Sequence, residues 1–170
     1  MKMKKWTIFI VTLLILIVLA AGAVYKRPLT LEQLYPESGL DLCKNITAYY
    51  SVDKTGEDHP VVFPPESEEF ELLMEKLKRQ QFRKSFQNFL PSCTKTHRWT
   101  EGDFRWVITL EFEGPIPMKY ESAASGNLIR LTNFFGDLTL YNLASEQSIQ
   151  CRTNNQQQWA EEILHILSGE

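Results

Sequence analysis

Five cations lie close together in an otherwise acidic stretch: Lys76, Lys78, Arg79, Arg83 and Lys84. Ammonium and guanidinium groups at that density attract carboxylates, phosphates or an anionic lipid surface, which makes the cluster the leading candidate for binding. The plainer alternative is a solvated helix end whose charges are neutralised by neighbouring acids. His59, His97 and His165 are scattered, and only His97, placed after Cys93, stands near a second soft ligand. A zinc site takes about three or four ligands, and no Cys-x-x-Cys or His-x-x-x-His pair supplies the rest. No metal site is expected. No Gly-rich phosphate loop is present, so no cofactor is expected either.

Nucleophilic catalysis needs an activated serine or cysteine, and neither a Gly-x-Ser-x-Gly elbow nor a reactive-cysteine signature occurs. Asp103, Glu111 and Glu113 fall on or beside one strand pattern and are the candidates for an acid and base pair, with His97 as a helper. Outward carboxylates on an amphipathic strand are the ordinary case, so the chain is expected not to be an enzyme; an envelope hydrolase using these four residues is the alternative. Trp99, Phe134, Phe135 and Tyr141 form an aromatic set that either packs in a core or lies exposed for binding. Asn45-Ile46-Thr47 matches a glycosylation acceptor and also suits the start of a strand.

The cysteines Cys43, Cys93 and Cys151 permit one intramolecular disulfide. A bond between Cys43 and Cys93 closes a loop of about 50 residues, worth roughly 4 kcal/mol in the chain-entropy model. The alternative is three small buried hydrophobes.

These residues need elements to hold them. Residues 42–52, LCKNITAYYSV, are rich in β-branched and aromatic side chains and predict a strand, followed by a polar turn at 54–58 and a short return strand at 61–63 before Pro64-Pro65. From Ser67, Glu68, Glu69 and Glu71 fill a first helical turn and Lys76, Lys78 and Arg79 a last one, the arrangement that complements the macrodipole. Phe70, Leu73, Met74 and Leu77 give that helix one apolar face. Residues 82–90, FRKSFQNFL, fit an irregular extension or a strand leading to Pro91. Residues 103–112 alternate strictly, with Phe104, Trp106, Ile108, Leu110 and Phe112 on one side. Further strands are expected at 118–122, 127–131, 138–143 and 148–152, separated by Gly-marked turns, and Asn154 or Asn155 caps a closing helix whose Trp159, Ile163, Ile166 and Leu167 share a face. The sum is an α+β domain, an antiparallel sheet with two helices on one face.

All of this hangs from the opening of the chain. Trp6 to Tyr25, WTIFIVTLLILIVLAAGAVY, contains no charge, and at about 1.5 Å per residue it spans the roughly 30 Å of bilayer hydrocarbon. Lys2, Lys4 and Lys5 precede it, against Lys26 and Arg27 after it, which keeps the N-terminus cytoplasmic. The alternative is a cleaved signal with an A-x-A pattern at Ala21 and Ala23; the apolar run exceeds the usual 7 to about 15 residues of such a signal and favours an uncleaved anchor. The organisation is then a cytoplasmic tail at 1–5, a transmembrane helix at 6–25, a connector at 26–41 and an extracytoplasmic domain at 42–170. Beyond Arg27, 13 basic residues face 21 acidic ones, and a surface of that sign repels phosphate backbones, which argues against nucleic acid as a partner.

In order and pattern the chain resembles the small extracytoplasmic α+β domains of Firmicute lipoproteins and single-span membrane proteins. The resemblance rests on an opening strand, Ile46-Thr47-Ala48-Tyr49-Tyr50, a helix ending in Lys76-Leu77-Lys78-Arg79, a core strand, Trp106-Val107-Ile108-Thr109-Leu110, and the C-terminal helix. The lipid-bearing cysteine of the lipoproteins is absent, because Ala23 stands in its place. Such a resemblance implies no catalytic residues. The expected function is a binding or sensing module at the cell envelope with a protein partner; a structural subunit of a membrane complex is a further alternative.

Overall fold

The computed structural model describes residues 2–36, 39–52, 57–89, 103–112, 127–134, 137–142 and 147–169. The apolar opening is a helix, α1 (Lys2–Tyr25), and a one-turn helix, α2 (Leu31–Leu34), follows it. Strands β1 (Cys43–Ser51) and β2 (His59–Phe63) form a hairpin that leads into α3 (Glu68–Arg79). After the short β3 (Phe82–Lys84) and a 3₁₀ turn (Phe86–Phe89) come β4 (Arg105–Phe112), β5 (Asn127–Phe134), β6 (Asp137–Asn142), β7 (Gln147–Thr153) and α4 (Gln156–Ser168). The fold is α+β, as the sequence pattern predicts.

Among the described residues the strands make one seven-stranded sheet in the order β2-β1-β4-β5-β6-β7-β3, and every pairing is antiparallel. β4 through β7 form a meander, each strand paired to the next in sequence. β1 and β3 are placed out of that order, β1 beside β4 and β3 at the far edge beside β7. The alternation in β4 sets the buried side. Trp106, Ile108, Leu110 and Phe112 lie in the core with Ile46 and Ala48 of β1, Ile129 and Leu131 of β5, and Leu138 and Leu140 of β6.

α3 and α4 supply the rest of that core. Leu73, Met74 and Leu77 come from α3, and Trp159, Ala160, Ile163 and Leu167 from α4. The Ser67 hydroxyl accepts from the Phe70 amide at 3.2 Å, the expected cap of α3. α4 starts differently from expectation. Asn155 precedes it with φ 50°, a left-handed conformation Asn tolerates, and its side chain makes no capping bond; the Gln156 side chain instead accepts from the Thr153 amide at 3.3 Å. Three aromatics join the layers edge to face, with ring centroids of Trp159 5.9 Å from Phe82 and 5.7 Å from Trp106. The Trp106 indole also donates to the Ala160 carbonyl at 3.1 Å.

The stretch expected as a connector is packed. Leu29, Leu31, Tyr35 and Leu40 are all buried, and Thr30 with Gln33 closes a capping box over α2. Leu29 and Phe82 exchange both backbone hydrogen bonds, at 2.9 and 2.8 Å, so the chain leaving α1 runs antiparallel beside β3. At the end of α1 the Tyr25 hydroxyl donates to the Ser85 carbonyl at 3.1 Å and accepts from the Asn88 amide at 3.0 Å. Asn88 also acts as a strand residue toward β7, accepting from the Gln150 amide at 2.7 Å and donating to its carbonyl at 3.0 Å. The end of α1 is thus hydrogen-bonded to the sheet edge. The expected strand at 118–122, part of the polar turn at 54–58 and Pro91 lie outside the described residues.

Leu31 and Leu42 separate a packed segment from a loose one. Leu31→Ala, at a fully buried site, is expected to cost about 2–5 kcal/mol, while Leu42→Ala, at a site 65% exposed, stays within about 0.5 kcal/mol. Urea unfolding of the two variants in detergent measures the difference; equal effects contradict the packing of 29–40 into the domain.

Candidate functional site

The five cations fall on two elements. Lys76, Lys78 and Arg79 end α3, while Arg83 and Lys84 lie on β3 beyond Gln80 and Gln81. On a helix each residue advances about 100°, so Lys76 and Arg79, three apart, share one side of α3 while Lys78 lies on another.

Each α3 cation is neutralised inside the protein. Lys76 is paired with Glu162 of α4, and Lys78 with Asp41 before β1. Arg79 reaches back to Glu75 at 2.8 Å. The Lys76 ammonium holds the Glu162 carboxyl below the usual carboxylate range, and the Gln158 side chain adds a hydrogen bond at 3.2 Å. These pairs sit in two open grooves flanking α3. One, of about 400 Å³, is lined by Leu40, Asp41, Cys43, Phe70, Met74 and Lys78. The other, of about 390 Å³, is lined by Leu72, Glu75, Lys76, Arg79, Trp159 and Glu162. The α3 part of the cluster therefore joins α3 to α4 and to the turn before β1, and carries little free charge.

The β3 cations are different. Arg83 is exposed and stands directly opposite Arg152 across the β3–β7 ladder. Two guanidinium groups at cross-strand positions repel one another, and neither is in an ion pair with a described carboxylate, although Asp137 of β6 lines the same small recess as Arg152. Lys84, opposite Cys151, is likewise in no ion pair with a described residue. The sheet edge at β3 and β7 thus holds the cations around the cluster that are in no ion pair with a described residue. The signal for it in the sequence is weak, because Arg152 becomes a neighbour of Arg83 only through strand pairing.

The other candidates are dispersed. His59 stacks on Tyr50 with ring centroids 5.1 Å apart, at the β1–β2 edge, and His165 is exposed on α4. Glu111 accepts from the Thr47 hydroxyl at 3.3 Å. Asp103 lies just before the opposite end of β4, about 25 Å away at the rise of a strand, so the two carboxylates do not form a pair. His97, Glu113, Trp99 and Phe135 lie outside the described residues. Phe134 is exposed and Tyr141 half-buried; Asn45 is half-buried at a register shift in β1. Among the described residues no group of three His, Cys, Asp or Glu side chains could hold a metal ion.

Cys43 and Cys151 are both buried thiols and are not bonded to each other, and Cys93, the expected partner of Cys43, lies outside the described residues. Burial pushes the Cys43 thiol up and the Cys151 thiol up to about 12, which suppresses the nucleophilic thiolate.

Compared with protein-family models, with curated proteins and with solved structures, the chain matches none.

Because the folded-state value of Glu162 is depressed, its pairing contributes above about pH 4.3 and is lost as the pH falls through the folded value. A carboxyl titration of Glu162 by NMR is expected to give a midpoint below the ordinary glutamate range, with Lys76→Met restoring it. An unchanged midpoint in that variant contradicts the pairing.

Proposed function

We propose that the chain is a single-pass membrane protein, N-terminus in the cytoplasm, whose α+β domain faces outward and binds or senses a partner at the cell envelope. The observation that carries this reading is the state of α1. From Trp6 to Tyr25 none of the helix is buried by protein, yet its end is hydrogen-bonded to the folded domain. A helix apolar on every side and covered by its own chain only near Gly22 and Tyr25 belongs in lipid.

In this reading α3 and α4 lie together over the Trp106 side of the sheet and hold the domain rigid, and contact is made at the β3–β7 edge. The paired Arg83 and Arg152 suit an acidic surface on a protein partner, since a carboxylate between them removes a repulsion the domain otherwise carries. Contact by surface charge also agrees with the separation of Asp103 from Glu111 along β4.

The test is crosslinking on intact cells with a membrane-impermeant reagent, followed by purification of the chain. A discrete envelope protein is expected among the products, and Arg83→Glu with Arg152→Glu lowers its yield several-fold, while Lys78→Ala leaves it unchanged. If the double reversal leaves every product unchanged, the β3–β7 edge is not the contact.

A further inference from the structure

Phe86 and Phe89 are 48% and 69% exposed, although both belong to the segment that ties the domain to the anchor. In a 3₁₀ turn residues three apart eclipse one another, so the two rings share one side of the turn while Asn88 bonds to β7. Both rings lie against Tyr25, Phe86 stacked with centroids 5.7 Å apart and Phe89 at 4.9 Å. A Cβ placed on Gly22 would stand 3.9 Å from Cζ of Phe86. Gly22 is nearly one helical turn before Tyr25, about 4.5 Å further along the axis toward the middle of the apolar run. Phe86 is therefore level with part of the apolar helix, and what surrounds Gly22 surrounds Phe86. Lys26 holds its ammonium 4.3 Å over the centre of the Phe86 ring, a cation above an apolar group at the end of the span.

The geometry points to a second membrane contact: the Phe86–Phe89 turn is seated in the boundary layer between headgroups and acyl chains of the same bilayer that α1 crosses. This rests on α1 spanning that bilayer. The occupant of the exposed aromatic surface is phospholipid, because the surface is continuous with the uncovered apolar helix and bears Lys26, a cation that suits a lipid phosphate, at the end of the span. Aromatic rings favour that layer, and apolar groups reach about 5–10 Å into it. With α1 as one point of attachment and the turn as another, the domain is held in one orientation on the membrane instead of swinging on a tether. The β3–β7 edge, with Arg83 and Arg152, then stands close above the lipid surface.

The test places a photoreactive diazirine amino acid, one site at a time, at Phe89, at Leu16 in mid-helix and at Val62, which is exposed on β2 at the opposite edge of the sheet. The full chain is reconstituted in phosphatidylcholine vesicles, illuminated, and weighed for phospholipid adducts. Adducts at positions 16 and 89, with the yield at 89 several-fold above that at 62, are the expected result. Adducts at 16 with no excess at 89 over 62 overturn the seating while leaving the span intact. No adduct at 16 overturns the span and the seating together.

Discussion

The placement of everything else depends on a helix that its own protein leaves exposed over most of its length. Large apolar side chains from Trp6 to Val24 are exposed all around α1. At about 1.5–3 kcal/mol for each side chain of that size, leaving them in water costs on the order of 20 kcal/mol. That exceeds the roughly 5–15 kcal/mol by which a domain is stable, so the packing of the sheet alone does not offset the exposure of α1 in water. Hydrocarbon removes the cost and satisfies the backbone at the same time, since every peptide group in the helix interior is bonded within the helix.

The join between helix and sheet turns that constraint into an architecture. Residues 26–29 leave α1 and continue directly as a strand-like partner of β3, through the exchanged Leu29 and Phe82 bonds. Phe82 is fully buried and packs on Trp159, which packs on Trp106, so one chain of aromatic contacts runs from the segment leaving α1 to the centre of the sheet. Asn88 adds a side-chain amide where a peptide group would stand, bonding to Gln150 and Tyr25 together. The short β3 is therefore less a strand of the domain than the clasp by which the domain holds the end of α1.

Much of the fold is legible in the sequence because it is encoded by local pattern. Strict alternation marks β4, and the charge gradient with Ser67 marks α3, each decided by neighbours within a few residues. The rest is set by partners distant in the chain. Phe82-Arg83-Lys84 is too short for a two-residue period to show, and its place at the sheet edge is fixed by Thr153, Arg152 and Cys151. Leu29 and Leu31 sit among Pro and polar residues that read as a connector with a short helical turn, and their burial follows from the Phe82 pairing. The candidate site failed to read as a unit for a similar reason. Lys76, Lys78 and Arg79 are close in number, but the helix turns them toward Glu162, Asp41 and Glu75, and pairing across strands brings Arg152 to Arg83 from nearly seventy residues away.

The central claim is that α1 crosses a membrane with the domain on the outer side, and protease added to intact cells tests it most directly. The account predicts that the folded domain is digested from outside while a fragment containing α1 stays in the membrane. A domain protected in intact cells and digested only once they are opened contradicts it.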